Sequence, residues 1–207
     1  MRFDEFNYDE NIGGRSGGLL LEALQTIVFA LAVSVVIYLF FAIPNQVDGL
    51  SMFPNLRDKE ILLTNKFLQI TGGADGVFKS YDYQRGDMVV FQQPGRPDLV
   101  KRLIAGPGDK IKIENNKIYV NSKALIEEYL PSTVVTEPGP FLPNGVEKRI
   151  PEGNYFVMGD NRTNSKDSRT NDVGFVERRY LKGSPFLRLF PLDRFGQLDR
   201  GKYREVE

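Results

Sequence analysis

The sequence has no cysteine and no histidine. Without cysteine there is no disulfide, no thiolate zinc site and no cysteine nucleophile. An oxidising compartment stays open, because many exported proteins lack disulfides. Without histidine the commonest metal ligand and the commonest general base are both missing. Metal-dependent catalysis would therefore rest on carboxylates alone, and a nucleophilic serine would need a base other than imidazole. An excess of charge is missing too: 27 basic residues balance 27 acidic ones. No long basic block supplies a nucleic-acid footprint, so no nucleic-acid partner is expected. The length of 207 residues suits one domain plus an anchor, or two very small domains.

What the chain does have is one long apolar run, Gly18 to Ile43. From Thr26 onward roughly 18 residues carry no charge, which matches a bilayer core. Pro44 and Asn45 follow it, Glu22 and Gln25 lie at its front edge, and Tyr38, Phe40 and Phe41 suit an interfacial aromatic belt. A secretory signal peptide would have a basic front and a small-residue cleavage site. This front is acidic on balance, and the run ends in Phe-Phe-Ala-Ile-Pro. A buried core helix would be shorter. The preferred reading is a polar tail over 1–17, with Gly13–Gly18 as a flexible join, then a transmembrane helix over 18–43 and a separate domain over 44–207. Only Arg2 and Arg15 precede the helix, so charge says little about orientation.

Beyond Val47 the signals are those of strands. Asp87–Phe91 closes at a Gln-Gln-Pro-Gly turn. Lys110–Glu114 and Lys117–Asn121 alternate around Asn115-Asn116, which reads as a hairpin. Gly153–Gly159 is another strand, and Phe186–Pro191 reads as a last core strand or, more boldly, a membrane-resting edge. Short strands between Gly/Pro turns favour an all-β domain over a βαβ sheet. Residues about 70–84 and about 125–150 read as loop-rich surface excursions.

Ser51 sits in Gly49-Leu50-Ser51-Met52-Phe53-Pro54, a few residues past the apolar run. A serine hydroxyl is a weak nucleophile until a base removes its proton. Lysine is the remaining base, and it serves only when neutral, which burial in apolar surroundings achieves. Lys101, among Val100, Leu103 and Ile104, has such neighbours. Gly49 allows close backbone approach to a substrate, and the Ser51 amide is a candidate oxyanion donor. Taken alone these features do not establish catalysis, since Ser-Met-Phe-Pro is ordinarily a turn and Lys-Arg ordinarily a solvated pair.

The segment Gly159-Asp160-Asn161-Arg162-Thr163-Asn164-Ser165-Lys166-Asp167-Ser168-Arg169 adds to them. Together with the anchor, Ser51–Pro54, Arg85-Gly86-Asp87 and Lys101–Asp109, in that order, it closely resembles bacterial type I signal peptidases from about residue 20 onward. The resemblance implies a mainly β fold, a coiled antiparallel sheet behind one transmembrane helix. It implies Ser51 as nucleophile, Lys101 as general base and Ser165 as the hydroxyl that orients the lysine. Asp167 and Arg169 would form a structural ion pair, Arg102 would be structural, and Gly159, Asp160, Asn161 and Arg162 would support the catalytic floor. The implied activity is removal of signal peptides from exported preproteins after small residues, Ala-x-Ala, with no metal or cofactor. The implied setting is the bacterial cytoplasmic (inner) membrane, single-pass, with the 44–207 domain outside the cytoplasm and the export machinery nearby.

Three positions depart from the family pattern. Asn55 stands where threonine is usual, Gly49 where some members have a serine at the oxyanion hole, and Gly174-Phe175 where Gly-Pro is frequent. Arg162 and Ser165 spoil any calcium-loop reading of the 159–169 segment. Arg85-Gly86-Asp87 runs straight into a strand and so reads as a turn, not an adhesion ligand. Asn161-Arg162-Thr163 matches a glycosylation sequon that a bacterial chain would rarely use. Two rivals remain: an inactive, membrane-anchored relative that binds signal peptides, and a self-cleaving repressor-like protease. The second would carry a DNA-binding region where this chain carries the apolar helix.

Overall fold

The computed structural model describes residues 13–40, 42–66 and 83–206. The expected polar tail up to residue 12, Phe41 and most of the 70–84 excursion lie outside them. The chain divides into two units, residues 1–41 and 42–207.

In the first unit a single helix, α1, spans Gly13–Phe40. The Gly18–Val36 stretch is long and apolar enough to cross a membrane, and none of it is buried. The hydroxyls inside the run are satisfied by their own helix: Thr26 donates to the Glu22 carbonyl at 2.9 Å and Ser34 to the Ala30 carbonyl at 2.8 Å. Both expected ends need correction. The helix begins at Gly13, so Gly13–Gly18 is helical and not a loose join; no proline interrupts the growing helix there. It stops at Phe40 and not at Ile43, because Ala42 and Ile43 already pair with Asn65 and Thr64 in a sheet. A residue before proline avoids the helical region, which suits Ile43-Pro44 to a strand.

The second unit is built almost wholly of strands. In chain order these are β1 (Ala42–Gln46), β2 (Ile61–Asn65), β3 (Met88–Phe91), β4 (Leu99–Ala105), β5 (Lys110–Glu114), β6 (Lys117–Val120) and β7 (Lys123–Glu127). There follow β8 (Glu147–Arg149), β9 (Asn154–Met158), β10 (Val176–Glu177), β11 (Leu181–Phe190), β12 (Gly196–Gln197) and β13 (Tyr203–Val206). The larger sheet runs β1-β2-β11-β3-β4-β9-β10, with β12 on β11; the smaller runs β13-β7-β6-β5-β8. Every pairing is antiparallel. Register shifts along β11 and β4 bend the larger sheet. The expected mainly β architecture is the one observed.

Local chemistry explains much of this. Asn115 and Asn116 adopt positive φ, 50° and 61°, as a two-residue hairpin turn requires. The strands they join alternate buried and open positions. Ile111, Ile113, Ile118 and Val120 thereby face Ile104, Phe156 and Met158 of the larger sheet. Phe186–Phe190 is the second half of β11 and pairs with β2 on one side and the short β12 on the other, so it is a strand of the larger sheet, with Phe186 and Phe190 exposed. The 125–150 region is not a plain surface excursion: it contains the end of β7 and all of β8, and it buries Thr136, Leu142 and Ile150.

Candidate active site

Ser51 lies on a closed turn between β1 and β2. Val47 N–H donates to the Glu60 carbonyl and Lys59 N–H to the Val47 carbonyl, both at 2.8 Å, which pins the two stems together. At the tip Phe53 N–H donates to the Leu50 carbonyl, and Leu56 N–H to the Met52 carbonyl. Gly49 has φ 86°, and its N–H donates to Asp58 Oδ1 at 2.6 Å. Met52 and Leu56 anchor the turn from below, in a cluster with Val47, Leu62, Met88, Val90 and Val100. Asn161 holds it from the side: its N–H donates to the Ser51 carbonyl at 3.0 Å, and its side-chain amide to the Leu50 carbonyl at 3.1 Å. The Ser51 amide itself meets no hydrogen-bond acceptor among the described residues.

Lys101 comes from β4, where it pairs with Val89, and it is 2% exposed. Its Nζ donates to Ser51 Oγ at 2.6 Å and to the Val100 carbonyl at 3.0 Å. Burial pushes its pKa down from 10.5 to about 8, against the upward pull of the Asp167 and Asp160 carboxylates. Neighbouring Arg102 meets Asp160 with two bonds, Nε to Oδ1 at 2.8 Å and Nη2 to Oδ2 at 2.6 Å. Its guanidinium also stacks over Tyr129, 4.1 Å from the ring centre. Asn55 ties this pair to the Ser51 turn, because its side-chain amide donates to Asp160 Oδ2 at 2.8 Å and to the Tyr129 carbonyl at 3.1 Å.

The block that follows β9 forms the floor. Gly159 has no room for a side chain: a Cβ there would collide with Ser165 Oγ and with the Ser51 carbonyl oxygen. Gly159 N–H donates to Asp167 Oδ2 at 3.0 Å. Asp167 and Arg169 form the expected pair through two bonds, at 2.9 and 2.8 Å, and Arg169 also reaches the Arg162 carbonyl. Burial alone would raise the Asp167 carboxyl; Arg169 and the Gly159 amide outweigh it and hold the pKa below the ordinary value. Arg162 is gripped by Glu127 at 2.5 Å and donates to Thr136 Oγ1 at 2.6 Å.

Ser51, Lys101, Asp160, Ser165 and Asp167 are thus brought into one region, with Arg102 and Arg169 as buried counter-ions. Gly49 sits two residues before Ser51, with open space where a side chain would project. Ser165 differs from expectation. Its hydroxyl is buried and makes no hydrogen bond of normal geometry, although it lies close enough to Asp167 to help keep that carboxylate ionised. The bonds of Lys101 go to Ser51 and Val100 instead. Asn55, Glu127, Tyr129 and Thr136 were not foreseen as parts of the site. Asn55 was visible only as a departure from threonine. The other three lie in or next to a segment read as loop-rich, and their partner Arg162 is 26 to 35 positions away.

The family described as signal peptidase, peptidase S26, matches residues 20–190. Signal peptidase I U of Bacillus subtilis (strain 168) is 38% identical over 181 residues, covering 86% of this chain and 89% of that protein. Signal peptidase IB of Staphylococcus aureus (strain Mu50 / ATCC 700699) is 34% identical over 187 residues, covering 85% and 92%. The crystal structure of a signal peptidase I from Enterococcus faecalis V583 is 28% identical and covers 50% of this chain and 97% of that one. Its TM-score of 0.39 is too low to carry a comparison of folds. On the family match and the two relatives, the chain belongs to the signal peptidase family, peptidase S26.

Proposed function

We propose that this protein is a membrane-anchored serine endopeptidase that removes signal peptides from exported preproteins, with Ser51 as nucleophile and Lys101 as general base. The observation that carries the reading is the 2.6 Å contact between Lys101 Nζ and Ser51 Oγ, with the lysine buried and its pKa drawn down to about 8. At that value roughly a tenth of the lysine is neutral at pH 7.

The neutral amine uses its lone pair to take the proton of Ser51 Oγ while Oγ bonds to the scissile carbonyl carbon. The developing oxyanion faces the free Ser51 N–H. Collapse breaks the C–N bond, and the proton held by Lys101 passes to the leaving amine. Water then gives a proton to Lys101 and attacks the ester, and Ser51 recovers its proton as the acid departs. The Lys101–Val100 bond at 3.0 Å aims the amine during these transfers. Asp160, Asp167, Arg102 and Arg169 act through the floor they build, and Ser165 packs against Gly159 within it.

Two strand edges, unpaired among the described residues, suit an extended substrate. β1 ends the larger sheet, and β4 pairs with β9 only from Arg102 onward. Among the described residues, Leu99–Lys101 therefore have no sheet partner on the side away from β3. A signal peptide adding itself as a strand there would present alternate side chains toward Val47 and Val100, with Met52 and Leu62 buried beneath them. Such a shallow apolar floor suits small residues in an Ala-x-Ala pattern. The exposed apolar helix Gly18–Val36 anchors the protein in a bilayer, which we take to be the bacterial inner membrane with the β domain outside the cytoplasm. A capture module that binds without cutting would have no use for a desolvated amine against a serine hydroxyl.

Rapid acid quenching during turnover, followed by peptide mapping, tests the mechanism. An acyl group on Ser51 supports it; an acyl group elsewhere, or none under single-turnover conditions, contradicts it.

A further inference from the structure

The turn that carries Ser51 sends consecutive apolar residues to two different places. Met52 points inward to the cluster with Val47 and Val100, on the Lys101 side. Phe53, the next residue, is 48% exposed and forms one wall of a groove of about 450 Å³. Pro54, Pro131, Val134 and Val135 complete its walls. Asn161 belongs to both places: it lines the groove and holds the Ser51 and Leu50 carbonyls.

The outer wall is braced to the catalytic floor. Val134 N–H closes a turn onto the Pro131 carbonyl at 3.0 Å. One residue past Val135, Thr136 accepts from Arg162, and the Glu137 carbonyl accepts from Arg169 at 3.2 Å. Both arginines come from the block beneath Ser51. Asp160 and Arg162, the charged residues of the groove, are buried and already bonded to Arg102 and Glu127. The groove therefore offers hydrocarbon and hydroxyls, and a charged side chain entering it would lose water without gaining a partner.

An extended peptide whose acyl half lies along the edges of β1 and β4 must leave over the far side of Ser51. An extended chain advances about 3.3 Å per residue, and Phe53 is two residues from the nucleophile. We propose that this groove receives the second or third residue after the scissile bond, in the mature part of the preprotein, and selects an uncharged apolar side chain there. The inference rests on the reading of Ser51 as nucleophile. It makes Val135, Val134 and Phe53 specificity-determining on the leaving side.

The test uses the full chain in detergent and internally quenched peptides with one Ala-x-Ala site. Leu, Asp or Lys stands at the second and third positions after the bond. Wild type should cut the Leu peptide about tenfold faster, in kcat/KM, than either charged peptide. Val135→Lys should then favour Asp over Lys by about three- to fivefold, and Val135→Asp should reverse that order, as one partly exposed charge pair allows. Thr133→Lys, on the same exposed wall, should shift preference in the same direction as Val135→Lys. A reversal of preference is not something misfolding produces. Unchanged ranking in wild type and all variants, with the Ala-x-Ala bond still cut, overturns this inference alone. A wild type that cuts no peptide overturns the nucleophile reading, and this inference with it.

Discussion

Lys101 and Arg102 are neighbours on β4, both 2% exposed, yet only Arg102 meets a carboxylate at bonding distance. Asp160 keeps the guanidinium charged through two hydrogen bonds. Lys101 meets a hydroxyl and a carbonyl oxygen, neither of which carries a charge to offset its burial. One strand thus holds a structural cation and a group poised to lose its proton, and the difference comes from what each side chain reaches.

Activity should follow the neutral form of Lys101. Its pKa is lowered to about 8, so kcat/KM should rise about tenfold per pH unit below that value and level off above it. A pH–rate profile on a peptide substrate checks this. A flat profile from pH 6 to 9 would remove Lys101 as the base.

The same burial should make the lysine a burden on stability. The folded pKa lies below the ordinary 10.5, so between about pH 8 and 10.5 the unfolded chain holds a proton that the folded chain has released. Stability from this group therefore rises with pH across that window, and the full penalty applies below it. The gap corresponds to on the order of 3 kcal/mol. Lys101→Met should unfold at higher temperature than wild type at pH 7, and the advantage should shrink by pH 10. Thermal unfolding of the full chain in detergent at both pH values measures it.

Gly159→Ala should disable the site while leaving the fold in place. The added methyl group meets Ser165 Oγ and the Ser51 carbonyl, so the nucleophile turn must shift. A displacement near 1 Å at a reacting group costs about a hundredfold in rate. The expected result is a kcat loss of that order with KM little changed and near-ultraviolet circular dichroism preserved.

Asn55→Asp should be more harmful than Asn55→Thr. Aspartate would remove the two donated bonds and set a second carboxylate against Asp160. Threonine keeps a donor. We expect Asn55→Asp to lower stability by about 2 kcal/mol and activity by more than tenfold, with Asn55→Thr closer to wild type in both. Unfolding midpoints and initial rates for the two variants decide it.

The elements legible in the sequence were those set by short-range chemistry. Asn115-Asn116 between alternating strands announced the β5–β6 hairpin, and the apolar run announced α1. The hairpin that follows turns on Asn121 and Ser122 at φ 53° and 69°; Asn-Ser is a weaker turn signal, so β7 carries no local mark and its end merges with the loop-rich pattern of 125–150. The helix end was misplaced because Ala42 and Ile43 are as apolar as the helix but belong to β1. The absence of histidine makes lysine the expected base and apolar neighbours single out Lys101, but composition and spacing alone do not show that Ser51 and Lys101 meet across 50 positions; the family pattern is what gives that pairing weight. Contacts such as Glu127–Arg162 depend on how the smaller sheet docks on the larger, which no local pattern encodes.

The most direct test of the central claim is cleavage of a preprotein bearing an Ala-x-Ala site, in detergent or lipid, by wild type, Ser51→Ala and Lys101→Ala side by side. Cutting at that site by wild type alone is the expected result. Activity surviving in both variants would mean that the active site lies elsewhere, and an inert wild type that still binds the preprotein would point to a capture module instead.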